Sequence, residues 1–381
     1  MKKNLLKIFA VCLCLCMMIP AFASCAKKND KFVIGLSGPL TGEAAVYGTA
    51  VKNSAQMAID EINAAGGLNG VLFELIATDD QHDATKVADN YANMMAKGMQ
   101  VSLGCVTTKP GLEFSKLSLE DNVFFITPSA SGDDIPKEAN GYQMCFADGN
   151  QGAAAAKYVN ESGMKSIGIF YKSDDPYSKG IYDQFKAALN ADVATIDASF
   201  TDAAATDFSA QIAMLQGCDF VFMPIYYQPA SLFMAQAKDI LPKNATYYGC
   251  DGFDGLETKF DVTTVPQEIT MLSHFNSKAT EGKAADFVKK YTEKYGTDTL
   301  NQFGASAYDC IYAIYGAMKA AVDAGTDIPV DISASDLCEI LKGQFNGGYT
   351  FSGATGTNVK WQSNGYVDKS AIKFIIKEAN A

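Results

Sequence analysis

Short apolar runs alternate with helical stripes along almost the whole chain, and this alternation limits the fold more than any other feature. KFVIGL (31–36) reads as a buried strand. Residues 49–65 follow as a helix, with Val51, Ala55, Ala58, Ile59 and Ile62 on one face, and Gly66-Gly67 ends it. Strands at 71–77, 101–105 and 123–127 then alternate with helices at 84–97 and 110–120. A polar, glycine-rich stretch at 147–152 interrupts the pattern, which restarts with a helix at 151–162. Strands at 166–171, 192–198, 219–225 and 246–250 follow, separated by helices at 177–190, 207–216 and 229–241. Strand-helix alternation implies parallel sheets covered by helices on both faces. Two such runs in 381 residues imply an α/β protein of two doubly wound lobes. Residues 279–324 read as mostly helical, and AIKFII (371–376) is a late single strand. That strand makes sense if the chain crosses between lobes more than once.

Ligands of open parallel sheets sit beyond the carboxyl ends of the strands. The loops at those ends carry distinct chemistry. LSGPLTGEAAVYG (36–48) sets Tyr47 among small residues, Thr107 and Thr108 follow the third strand, and Ser129, Ala130 and Ser131 follow the fourth. In the second half, Tyr226-Tyr227 and Asp251 follow strands. Hydroxyls cluster in the first half, and aromatics and carboxylates in the second.

Every one of the 31 basic residues is lysine. A bidentate guanidinium clamp is therefore absent, and a bound carboxylate must rely on hydroxyls, lysine or backbone N–H groups. Thr107, Thr108, Ser129 and Ser131 with helix N-termini suit that task, and Asp251 suits an ammonium. Each hydroxyl taken alone also fits plain capping or turn chemistry. Tyrosines from both halves would close over an apolar remainder. The net charge of −12 argues against a nucleic-acid partner. With His82 and His274 as the only histidines, a histidine-based metal site is not expected, and no cofactor motif occurs. The chain has no G-x-S-x-G, no P-loop and no H-E-x-x-H, so an enzyme is not expected.

The first 24 residues read as a secretion leader, with Lys2-Lys3 before a short apolar stretch, Leu5 to Ile19. Phe22-Ala23-Ser24-Cys25 resembles the lipobox of bacterial lipoproteins, which makes Cys25 the lipidation site and residues 25–30 a tether. A plain leader cut near the same point is the alternative. Of the ten cysteines, six belong to the body: Cys105, Cys145, Cys218, Cys250, Cys310 and Cys338. Their scattered spacing fits small buried apolar residues, and a disulfide outside the cell remains open.

VIGLSGPLTGEAAVYG, AIDEINAAGGLNG, DDQHDATKVADNYANMM and ITPSAS, in that order, resemble the branched-chain amino-acid-binding family of ABC transporter substrate-binding lipoproteins. The likeness runs from residue 31 to about 378. It implies a type I periplasmic-binding-protein fold, with two lobes joined by a three-stranded hinge. Lobe one would take residues 31–147 and 274–366, and lobe two residues 148–273 and 367–381. The resemblance implies Tyr47 as an aromatic wall and Thr108 at the ligand carboxylate. It sets Ser129, Ala130 and Ser131 where both ends of the zwitterion bind, Tyr177 and Tyr227 at the cleft, and Asp251 on the ammonium. Tyr308, near the hinge, is a weaker match. Three departures stand out: aspartate for the usual glutamate at 251, serine for alanine at 129, and a Cys105 that does not match the cysteine pair bridging some members, so that disulfide is not expected.

The function implied is capture of a free amino acid, branched-chain or otherwise apolar, by an extracytoplasmic, membrane-anchored monomer that docks on ABC permease subunits. Other readings are a short amide, urea or an aromatic acid in the same cleft, or a ligand sensor serving a receptor.

Overall fold

The structure, a computed structural model, describes residues 29–136 and 139–379. Eleven strands form two sheets among these residues. The first sheet comprises β1 (Phe32–Gly38), β2 (Phe73–Asp79), β3 (Val101–Ser102), β4 (Phe125–Thr127) and β5 (Gly141–Gln143), ordered β2-β1-β3-β4-β5. All its pairings are parallel. The second sheet holds β6 (Ser166–Lys172), β7 (Ala194–Phe200), β8 (Phe220–Met223), β9 (Thr246–Gly249), β10 (Glu268–Ser273) and β11 (Ile372–Lys377). Its order is β11-β10-β9-β8-β6-β7, and only β11 runs antiparallel to its neighbour.

The strands are apolar because both faces are covered. Every residue of β1 is buried, as helix residues Val51, Ala55, Ala58, Ile59 and Ile62 lie over it. Each sheet reverses its winding once, between β1 and β3 in the first and between β6 and β8 in the second. Such switch points open a crevice beyond the strand ends. The loops after β1, β3, β6 and β8 lead into it.

The chain leaves the first sheet after β5 and enters the second through helix Asp148–Ser162. After β10 it returns, and helix Gln302–Asp323 packs along helix Ala45–Ala64. It then crosses back to add β11. Three crossings result, as the late strand implied.

The element pattern matches the sequence reading with shifted ends. The first helix starts at Ala45, so Tyr47 lies inside it. Strands β5 and β10 and helix Ala334–Asn346 carry no clear sequence signal; β5, for example, is only three residues long. All six body cysteines are buried and free.

Candidate ligand-binding site

The first turn of helix Ala45–Ala64 is pressed against the loop that precedes it. A Cβ on Gly48 would stand 2.1 Å from the Pro39 carbonyl oxygen. That closeness aims Tyr47 across the crevice. Its hydroxyl donates to the Gly252 carbonyl at 2.5 Å, and its ring packs edge-on against Phe303 and Tyr227. Gly252 also leaves room for the Tyr177 hydroxyl, since a Cβ there would lie 2.6 Å from it and from the Ile225 carbonyl oxygen. Tyr227 donates in turn to the Glu43 carbonyl at 2.5 Å. Both tyrosines therefore tie one half of the molecule to the other.

Asp251 follows β9 and is 1% exposed. Its Oδ1 accepts from the Tyr177 hydroxyl at 2.7 Å, and that hydroxyl accepts from the Gly252 N–H at 2.9 Å. Its own N–H donates to the Gln151 side-chain oxygen at 2.9 Å. Its Oδ2 has no partner. Burial pushes its pKa up to about 6, against the hydrogen bond from Tyr177. Three links thus run from Tyr47 through Gly252 and Tyr177 to the acid.

On the opposite side, helix Thr108–Glu120 begins at the crevice. A helix leaves its first N–H groups without intrahelical partners. Thr108 and Lys109 carry them here, because Pro110 has none. The Thr108 hydroxyl is buried and unpaired. Thr107 Oγ1 lies 2.8 Å from His82 Nδ1. Gln81 and His82 both adopt left-handed backbone (φ 55° and 62°), held by Asp79 and Asp80, which accept their N–H groups at 3.0 Å. This local cost presents the His82 ring edge-on to Tyr226, 5.3 Å between centroids.

Ser129 and Ser131 are buried in the loop after β4. Ser131 accepts the Asp148 N–H at 2.9 Å through its carbonyl. Ala130 lies in the same loop but turns inward. Its N–H donates to Thr127 Oγ1 at 2.9 Å, its carbonyl accepts from Gln143, and its side chain joins the core around Ile135.

Tyr47, Thr107, Thr108, Ser129, Ser131, Tyr177, Tyr227 and Asp251 thus surround one crevice. Tyr308 is not brought there. It sits on another face of helix Gln302–Asp323, donating to Glu61 at 2.7 Å and packing on Phe287 and Tyr312. Cys25 lies outside the described residues, as does the leader.

Sequence reasoning passes over Tyr226, His82, Gln151 and Asp148. Tyr226 stacks on Tyr177 at 4.5 Å and 13°. It is the neighbour of the chosen Tyr227, and the backbone at the strand exit sends one ring onto Tyr177 and the other against Tyr47. No helix among the described residues is long and apolar enough to cross a membrane. Among those residues no cluster with metal-ligating geometry occurs either.

Residues 31–355 match the sequence profile of the periplasmic binding proteins. The chain belongs to that family. It is 33% identical over 243 residues to the Leu/Ile/Val-binding protein BraC3 of Rhizobium johnstonii, covering 62% of this chain and 65% of that protein. It is 30% identical over 249 residues to a leucine-, isoleucine-, valine-, threonine- and alanine-binding protein of Pseudomonas aeruginosa, covering 63% and 66%. These matches span slightly less than two thirds of each relative's length. The branched-chain amino acid transporter substrate-binding protein LivJ of Streptococcus pneumoniae, solved with isoleucine, superposes with a TM-score of 0.79 at 25% identity. That likeness covers 92% of this chain and 98% of the other. The fold is the type I periplasmic binding protein fold, two parallel-sheet α/β lobes.

Proposed function

We propose that this chain captures a free amino acid in the cleft between two closing lobes and delivers it to an ABC importer. One observation carries the reading. Across one cleft, the buried Thr108 hydroxyl and the buried Asp251 Oδ2 are both unpaired, with the Tyr177–Tyr226 stack beside them. An unpaired buried polar group is costly. A zwitterion offsets both costs at once, with its carboxylate at Thr108 and the first turn of its helix, and its ammonium at Asp251.

In this reading residues 31–147 and 274–366 form the first lobe, and residues 148–273 and 367–381 the second. The ligand carboxylate meets the first lobe, and the second rotates in with Asp251 and its tyrosines. Tyr47 and Tyr227 hold the closed form through bonds made only on closure. The aromatic stack favours a side chain with an apolar stem. The protein binds without turnover, as a monomer. Lipidation at Cys25 would anchor it outside the cytoplasmic membrane beside its permease. Ser129 lines the first-lobe side, and Ala130 supports that loop from within.

A thermal-shift screen of the full chain, stripped of ligand by unfolding and refolding, tests the reading. The panel holds the twenty amino acids, urea, short amides and benzoate. A ligand at a hundred times its Kd adds about 2.7 kcal/mol and a plain rise in Tm. The expected result is a shift with one or a few amino acids. A shift with benzoate or amides alone would overturn the role of Asp251.

A further inference from the structure

Behind the cleft, the three crossings between the sheets meet around one buried cation. Lys369 lies on the third crossing, just before β11, and is 8% exposed. Its Nζ donates to Thr355 Oγ1 at 2.6 Å, and that hydroxyl donates to Asp309 Oδ2 at 2.6 Å. The bonded path from the lysine to its counter-charge thus runs through a threonine hydroxyl. Cys145, on the first crossing, and Cys310 lie near enough to act on the lysine charge, and that charge acts in turn on His274, on the second crossing. His274 packs edge-on against Phe146 of the first crossing, and its Nε2 lies 2.7 Å from Ser306 Oγ. Its N–H donates to the Gln302 side-chain oxygen at 3.2 Å. Gln302, Ser306, Asp309 and Cys310 all fall on one face of helix Gln302–Asp323. One first-lobe helix therefore fastens the second and third crossings.

A buried ammonium whose bonded acceptor is a neutral hydroxyl is costly. Swinging the lobes apart shears this cluster, because its members stand on all three crossings, and it lets water reach the amine. We propose that Lys369 is an opening bias built into the hinge, its buried charge opposing closure so that the ligand-free protein stands open. This rests on the two-lobe closure described above. Burial pushes the lysine pKa down to about 8, chiefly against the Asp309 carboxylate. The closed form has the lowered value, so its penalty is full below about pH 8 and fades as pH rises from there towards the ordinary lysine range. Burial drives His274 well below its ordinary value and Cys145 and Cys310 well above theirs, and it raises Asp309 against the lysine charge. Acids whose pKa rises on burial act in the opposite sense, favouring the closed form at low pH.

The test is small-angle scattering of the full, ligand-stripped chain at pH 7.5 and pH 9.5, on either side of the lysine titration, with wild type beside Lys369→Met. The variant should be compact at both pH values, and the wild type more open than the variant at pH 7.5 and equal to it at pH 9.5. The amino acid found in the screen should bind the variant about tenfold tighter than wild type at pH 7.5, a gain that disappears at pH 9.5. A plain packing defect would instead weaken binding alike at both. Should Lys369→Met not fold, Lys369→Gln, neutral and still a donor to Thr355, takes its place, and the direction of the wild-type change with pH stands as a second readout. Equal dimensions of wild type and variant, or a difference that does not change with pH, would overturn the role of Lys369, and compaction on adding ligand would leave closure standing. Dimensions that no compound of the panel changes would overturn the closure reading as well.

Discussion

Two concave regions of this molecule invite opposite conclusions. A cavity of about 390 Å³ lies between helix Gly282–Tyr295, helix Gln302–Asp323 and the loop at 349–354, lined by Tyr308, Tyr312, Tyr315, Tyr349 and Phe351. By volume and aromatic lining it looks like a ligand site. Its polar groups, however, are largely consumed by neighbours. Tyr308, Tyr312 and Lys290 all converge on Glu61, at 2.7, 2.8 and 2.9 Å, and Lys283 donates to the Ser352 carbonyl at 2.6 Å. Asp309 accepts from the Ala354 and Thr355 N–H groups at 2.8 and 2.7 Å. The interlobe cleft is the reverse. It is shut by Tyr47 and Tyr227, yet Thr108, Asp148 and Asp251 each keep a buried oxygen unpaired. Unmet hydrogen-bonding capacity marks a site better than empty volume does.

Replacing Asp251 should separate the two regions most sharply. Asp251→Ala is expected to weaken the amino acid found in the screen by about a hundredfold or more, because the ammonium loses its charged partner. Titration calorimetry reads this directly. Retained affinity would move the ammonium elsewhere.

The same acid should be a liability in the empty protein. Its pKa is raised from 3.8 to about 6, so the folded state holds a proton that the unfolded chain releases. The stability this lends is full below about pH 4 and is lost as pH rises through about 6. Asp251→Asn should thus match wild type near pH 4 and exceed it by about 3 kcal/mol at pH 7 in urea unfolding. A gap that does not change with pH would contradict the burial of this charge.

Tyr47→Phe removes the hydroxyl that donates to the Gly252 carbonyl and accepts, at 3.5 Å, from the Tyr227 N–H, and with it the first link toward Asp251. About 1 kcal/mol, or a fivefold loss of affinity, should follow. Small-angle scattering should show a more open ligand-free form. Tyr308→Phe, in the other cavity, should leave ligand affinity unchanged and cost under about 1 kcal/mol of stability. A marked loss of binding there would return Tyr308 to the ligand site.

How much was legible beforehand follows from what period and spacing encode. β1, β6 and β8 announce themselves because burial on both faces demands unbroken apolar runs. Three-residue β5 is fixed by its neighbours in the sheet, and its sequence carries no period. Thr108 and Asp251 were accessible because each follows a strand end. Asp148 was not, since it opens a helix after a glycine-rich stretch and gains meaning only beside Asp251 and Gln151. The choice between Tyr226 and Tyr227 turns on backbone direction after β8. One chain reversal sends Tyr227 to Glu43 and Tyr226 onto Tyr177. Tyr308 fits a family pattern in one dimension, but helical phase carries it to Glu61.

The most direct measurement is a crystal structure of the full chain with the tightest-binding amino acid of the screen. The account predicts the ligand ammonium about 2.8 Å from Asp251 Oδ2, and the ligand carboxylate against the Thr108 hydroxyl. An ammonium held by other groups, with Asp251 Oδ2 still unpaired, would contradict it.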